Sequence, residues 1–255
     1  MSDAIAAGVL KKSGLPFHVR FLGADDLDAV LALQERILAD LALTCSQNFI
    51  VPKSREKFAL LQEGAGKMLG VFVQGALVAQ CVMCMPTPEH PETGMDMVLP
   101  GKPEEVSIMQ GGLVDPAMRG NGLLQTMTEL WLSATEAAGR KHALGEIAVP
   151  NHYSWAVLLA CGMVIVQSGT DPSDGCELFY AHKVIGSFHE PAGEVLSLPP
   201  VSGLAKVREK LAEGFAGIGW DGSSLLMASS GGWKAECAPA KRKNPFVWNA
   251  PAPRP

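Results

Sequence analysis

The stretch LVDPAMRGNGLL at residues 113–124 has the plainest capacity for chemistry in this chain. An apolar strand runs into a turn, and two glycines lead into the start of a helix. The first N–H groups of a helix have no intrahelical partner and carry partial positive charge, so such a turn can hold a phosphate. Gly120 and Gly122 lack Cβ atoms and let oxygens approach the backbone. The same glycines equally suit a plain tight turn. No Gly-Lys-Ser/Thr follows, so this is not a Walker loop, and the third glycine of a Rossmann fingerprint is absent.

A second segment, EIAVPN at 146–151, is followed by Ser154 and Gly162. Val114 and Pro116 ahead of RGNG at 119–122 resemble the V-x-P-x-x-R-G-x-G pattern of the GNAT superfamily, the acyl-CoA-dependent N-acyltransferases. Asn151, a small residue three positions on and a glycine eleven positions on resemble that family's strand–Asn–helix–Gly stretch. The resemblance is specific over residues 106–163, extends over 17–183 and does not reach 185–255.

The resemblance implies a mixed α/β fold, a three-layer α-β-α arrangement around a mixed seven-stranded sheet, to which the residue pattern beyond 185 adds a C-terminal helix-plus-strand extension. It also implies acetyl transfer from acetyl-CoA to a primary amine by direct attack, without an acyl-enzyme and without a metal. The backbones of Leu113 and Val114 would bond pantetheine. Arg119, Gly120, Asn121, Gly122, Leu123 and Leu124 would hold pyrophosphate, and Asn151 and Ser154 would meet the pantetheine arm. Three positions depart from the pattern. Leu124 stands where the family usually has Gly or Ala. Leu158 stands where many members place a Tyr that protonates the departing thiolate, and Ile108 aligns with the base Glu of some histone-acetylating members.

Acyl transfer to an amine needs a neutral amine, a polarised carbonyl and a proton for the sulfur. Glu146 is the candidate base, direct or through water, although a strand-end carboxylate can equally be a rim residue. Gln110 can position a substrate but cannot take its proton. Ser154 or Tyr153 could reach the sulfur, and a Ser in a first helical turn also suits capping. Tyr180 on the last strand of the motif region is a further catalytic hydroxyl candidate, against a core role. His142 and His152 flank the same strand as Glu146. The pair Gly111 and Gly112 within a strand signals a bulge. The resemblance implies that this bulge splays the fourth and fifth strands so that pantetheine can enter.

The elements that must position these residues follow from periodicity. Strands are expected at 17–22, 68–73, 76–85, 106–114, 143–149, 163–167 and 176–184. Helices are expected at 24–41, at 55–63 behind a capping Ser54, at 121–138 and at 152–161. Gln74 and Gly75 signal a hairpin, and 86–104 reads as a proline-rich loop. Residues 1–14 read as a short helix or frayed arm. Beyond 185, a Pro- and Gly-rich linker leads to a helix at 203–215 and one short strand at 223–228, with 231–255 wrapping the surface or mobile. The division is thus an arm (1–15), the acetyltransferase-like domain (16–185) and an extension (186–255).

Of the 255 residues 47% are apolar and 18% charged, which excludes disorder over most of the length. The net charge of −5 argues against nucleic acid as partner and favours a cationic small-molecule amine as acceptor. The basic run at 241–243 is too short to form a groove. No apolar run approaches a membrane span, and Lys11 and Lys12 follow the apolar stretch instead of preceding it as in a secretory leader. A cytoplasmic protein without membrane contact is expected, and a homodimer is open. Cys81 and Cys84 have C-x-x-C spacing but would lie on opposite faces of a strand, which suits structural cysteines. Two rivals to an enzyme stay open: a catalytically silent acyl-CoA sensor, and an interaction module that binds no coenzyme A.

Overall fold

The computed structural model describes residues 4–44, 46, 49–63, 66–90 and 99–235. The chain runs β1 Ala6–Val9, β2 Pro16–Phe21, α1 Leu27–Leu43, α2 Arg55–Glu63, β3 Gly66–Val73, β4 Ala76–Cys84 and β5 Val106–Val114. It continues with α3 Leu123–Ala137, β6 His142–Ala148, α4 His152–Ala160, β7 Val164–Thr170 and β8 Glu177–Val184. The last elements are β9 Ser187–Leu198, α5 Leu204–Ala212, β10 Phe215–Trp220 and β11 Leu225–Ala235. The strands form one sheet in the order β1-β2-β3-β4-β5-β6-β8-β7-β10-β11-β9. Its neighbours are antiparallel except β5 and β6, which are parallel and joined through α3.

Apolar spacing explains the layers. α1 buries Leu27, Val30, Leu33, Ile37 and Leu41 with Phe58 of α2 against Met68, Phe72 and Val82 on one face of the sheet. α3 buries Met127, Leu130, Trp131 and Ala134 against Val71, Cys81 and Met83 on the other. Gln74 and Gly75, at φ of 50° and 82°, make the tight β3–β4 turn. Cys81 and Cys84 point to opposite faces, and burial pushes the Cys81 thiol up to about 12. Among the described residues, no helix is long and apolar enough to cross a membrane.

Strands β2 to β8 are the mixed seven-stranded sheet that the resemblance implied, and the sheet continues past it at both ends. The segment read as a short helix or frayed arm holds β1, which pairs with β2 from Ala6–Val19 to Val9–Pro16. Its alanines favour a helix locally, but Ile5, Ala6 and Leu10 are buried in the α3-side core and the open edge of β2 supplies a ladder.

The extension differs more. The linker is β9, a strand paired along β11. Pro191 is accommodated because β9 lies at the sheet edge, where a missing N–H costs no ladder bond. The helix stops at Ala212, since Gly214 takes a φ of 88°, and β10 follows. β10 gives little periodic signal because glycines interrupt it. A Cβ on Gly217 would lie 3.0 Å from Leu225 and 3.1 Å from Ile165, so any larger residue there would have to displace those side chains by a few tenths of an ångström. Residues 64–65, 91–98 of the proline-rich loop, and 236–255 with the basic run lie outside the described residues.

The extension shares a core with the motif region: Val207, Leu225 and Met227 pack with Trp155, Leu159, Ile165 and Phe179. Met227 is fully buried, so Met227→Ala should cost about 2–5 kcal/mol in denaturant unfolding. Because that core is shared, loss should come in a single transition that also unfolds α4. A separate early transition confined to the extension would contradict the shared core.

Candidate active site

Between β4 and β5, Val82 pairs with Gln110 and Gln80 with Leu113, so two steps on one strand meet three on the other. The extra residue falls at Gly111 and Gly112, and Gly111 takes a φ of 60°. This is the bulge expected from the glycine pair. On its other edge β5 pairs with β6 only from Val106–His142 to Met109–Gly145. Beyond that point the strands diverge and a cavity of about 680 Å³ opens between them.

The cavity passes through the plane of the sheet. One side is walled by residues 49–54, with Lys57 and Leu61 of α2. The splayed segments 110–113 and 145–148 form its middle, and Leu124, Asn151, Ser154 and Leu158 wall the far side. Gln110 and Glu146 both line it, as does Ile108. Asn151 is the N-cap residue of α4, yet its side chain makes no capping bond. Neither the Asn151 amide nor the Ser154 hydroxyl has a hydrogen-bond partner among the described residues, so the capping role open to Ser154 is not the one it takes. Both groups remain available to a ligand.

Cys176 and Asp171 also line the cavity, and neither is signalled by a motif. Burial first, then the carboxylates of Asp174, Asp171, Glu177 and Glu146, raise the Cys176 thiol above its ordinary value. This thiol is therefore held protonated and is a poor nucleophile.

The glycine turn sits at the start of α3, whose N-cap is Gly122 at φ of 78°, with no side-chain cap on the first turn. The left-handed glycine also explains why the helix begins at Leu123, two residues later than periodicity suggests. Asn121 is buried and structural: its Oδ1 accepts from Lys12 N at 2.9 Å and its Nδ2 donates to the Met118 carbonyl at 2.9 Å. The Arg119 guanidinium turns toward α1 and lies 2.7 Å from Asp40 Oδ2, an ion pair without hydrogen-bond geometry.

The β1–β2 turn lies over this loop, which no local pattern foretells. Lys12 Nζ donates to the Arg119 carbonyl at 2.7 Å. A Cβ on Gly120 would lie 2.7 Å from Lys12 Nζ, and one on Gly122 3.4 Å from Lys11 Nζ. Two ammonium groups thus stand where a phosphate approaching an uncapped helix start would meet them. The loop, the missing Cβ atoms and this positive charge fit a pyrophosphate.

Four hydroxyl or imidazole candidates, Tyr180, Tyr153, His152 and His142, do not line the cavity. Tyr180 is the Cα partner of Glu146 but is 2% exposed, with its ring against Gly169. Tyr153 is 78% exposed, its ring tilted by 38° against that of His152 at 4.1 Å between centroids. On Trp220 His152 does stack, at 5.4 Å. His142 lies at the opposite end of β6, with Nδ1 3.1 Å from His182 Nε2. Burial and His142 lower His182 to about 4.

No protein-family model and no curated protein matches the sequence. Solved structures do match the fold. A GNAT-family acetyltransferase from Streptococcus pneumoniae superposes with a TM-score of 0.52 at 14% identity, over 67% of this chain and 99% of its own. A Salmonella typhimurium protein solved with its cofactor acetyl-CoA gives 0.51 at 12%, over 66% and 94%. RimL, a ribosomal alpha-N-protein acetyltransferase, gives 0.52 at 16%, over 72% and 96%. Those chains are matched almost end to end, whereas part of this one lies outside them. The protein accordingly has the fold of the GNAT acetyltransferases, with a sheet extended beyond it.

Proposed function

We propose that this protein is an N-acetyltransferase that moves an acetyl group from acetyl-CoA to a primary amine by direct attack. The observation that carries this reading is the cavity through the splayed strands β5 and β6, walled on one side by the unpartnered Asn151 amide and Ser154 hydroxyl. Acetyl-CoA would supply the activated acyl group as its thioester. Backbone groups of Leu113 and Val114 lie past the end of the β5–β6 ladder and would orient the pantetheine arm. The loop from Arg119 to Leu124, with Lys11 and Lys12 above it, would hold the pyrophosphate.

Glu146 would take the proton of the attacking amine, and Gln110 would position that amine. Ser154 would donate toward the departing sulfur. Leu158, where many family members have a Tyr, lines the cavity and offers no proton. That residue favours the second reading, an acyl-CoA sensor without turnover. Release of thiol with a panel of amines separates the two, because a sensor releases none beyond background hydrolysis.

Four outcomes are expected. Calorimetry should give heat for coenzyme A, and none at millimolar ligand would remove the basis of the proposal. Glu146→Gln keeps the shape but removes the base, so turnover should fall by about 10²–10⁴-fold with coenzyme A affinity nearly unchanged. Raising the pH should restore part of that loss, since more of the free amine then arrives neutral; a loss under about threefold would make Glu146 a rim residue. Lys12→Ala should weaken coenzyme A by about 3- to 10-fold at low salt, with little effect on pantetheine, which lacks the pyrophosphate. Finally, the raised Cys176 thiol leaves little thiolate at neutral pH. Incubation with acetyl-CoA alone should leave Cys176 unmodified by mass spectrometry, and an acetylated thiol would replace direct attack by a two-step route.

A further inference from the structure

The wall of the cavity opposite α3 and α4 carries two cations. Lys53 and Lys57 both line it, Lys53 on the segment entering α2 and Lys57 in the first turns of α2. The backbone of Lys53 is clamped by Gln34, a buried side chain of α1. Lys53 N donates to Gln34 Oε1 at 2.9 Å, and Gln34 Nε2 donates to the Lys53 carbonyl at 3.0 Å. A buried glutamine that spends both its functional atoms on one loop residue fixes where that residue's side chain begins. The ammonium ends at the bulge, 3.6 Å from where a Cβ on Gly111 would be. It therefore stands at the mouth of the splay.

No anion meets it. Among the described residues neither Lys53 nor Lys57 has an ion-pair partner, and the charge acting on Lys53 is that of Lys57, another cation. Burial first and this like charge second lower the Lys53 ammonium below its ordinary value. Holding a partly desolvated cation beside a second one without a counter-ion costs stability unless a ligand supplies the negative charge. The carboxylates of Glu146 and Asp171 also line the cavity, but neither is among the groups acting on Lys53. The pyrophosphate loop has its own cations in Lys11 and Lys12.

We propose that the acceptor is a primary amine that also carries an anionic group, a carboxylate or phosphate, held by Lys53 and Lys57 while its amine faces Glu146. This rests on the acetyltransferase reading and names its substrate class. It replaces the cationic acceptor that the net charge of −5 favours, because a substrate responds to the charges lining its cavity more than to the sum over the chain. Lys53 is a specificity-determining residue in this scheme: it contacts the anion and takes no part in the proton transfers.

Matched amines that differ only in the anion test this. Glycine is compared with glycinamide, and O-phosphoethanolamine with ethanolamine, by thiol release from acetyl-CoA. The acidic member of at least one pair should have a KM at least tenfold lower, and which pair responds tells carboxylate from phosphate. Lys53→Met keeps the length of the side chain and should raise KM for the acidic amine by about 10- to 100-fold, with kcat nearly unchanged and the neutral amine unaffected. A fall in kcat for acidic and neutral amines alike would overturn the proposal and assign Lys53 to the reacting carbonyl. Equal KM values within both pairs would also overturn it.

A second measurement does not need turnover. In the presence of coenzyme A, labelling of Lys53 by an amine-reactive acetylating reagent, read by mass spectrometry, should slow severalfold on adding glycine or O-phosphoethanolamine and not on adding their neutral counterparts. Protection without thiol release would keep the anion site while removing the enzymatic reading. Absence of protection by either acid would reject the anion site, whatever the turnover.

Discussion

The structure depends on one interrupted ladder. Parallel strands β5 and β6 exchange hydrogen bonds from Val106–His142 to Met109–Gly145 and then part, because the extra residue at Gly111 and Gly112 bends β5 away. A break in the centre of a sheet leaves backbone groups without strand partners, which is costly unless something else pairs with them. It also opens a passage between the two helical layers. A cleft of this origin brings its own backbone donors and acceptors, which suits a ligand as polar and extended as pantetheine.

A sheet opened in its centre needs its two halves held apart and in place. Trp131 Nε1 donates to Ser107 Oγ at 2.8 Å, tying α3 to the paired part of β5. Trp155 Nε1 donates to the Val149 carbonyl at 3.0 Å, tying α4 to the end of β6. Gly145 lets α4 come close: a Cβ there would lie 3.0 Å from Leu158. The extension then buttresses α4 from outside. Trp220 of β10 meets Trp155 edge-on at 4.9 Å between centroids and also stacks on His152. A tail that resembles nothing in the motif region thereby holds the helix that presents Asn151 and Ser154.

Charge is organised locally. The chain is acidic overall, yet Lys11 and Lys12 stand over the glycine turn, and Lys53 and Lys57 line the cavity wall opposite α3 and α4. The carboxylates near the middle, Glu146 and those around Cys176, favour protonated neighbours and would draw an ammonium inward. A cavity with low-dielectric walls weights such nearby charges far more than the distant ones that set the net value.

Much of this protein is legible in its residues taken in order. The strand, glycine turn and helix from 106 to 137, the bulge and the opposite faces of Cys81 and Cys84 follow from local rules, while Gln110, Glu146, Asn151 and Ser154 as cavity residues follow from the family resemblance. Those rules are periodicity, the φ open to glycine and the alternation of a strand, and each acts over a few positions. What tertiary structure decided lies where partners are distant in sequence. Residues 6–9 are a strand only because β2 offers an edge, and 187–198 are a strand despite Pro191 only because β11 runs beside them. Tyr180 and Tyr153 have the right chemistry, but packing buries one and leaves the other in solvent. Lys12 reaches Arg119 across 107 positions and Gln34 grips Lys53 across 19, and no local pattern encodes either contact. Such contacts exist because burial of apolar faces against a shared sheet sets where each turn must end, and that sum is taken over the whole chain at once.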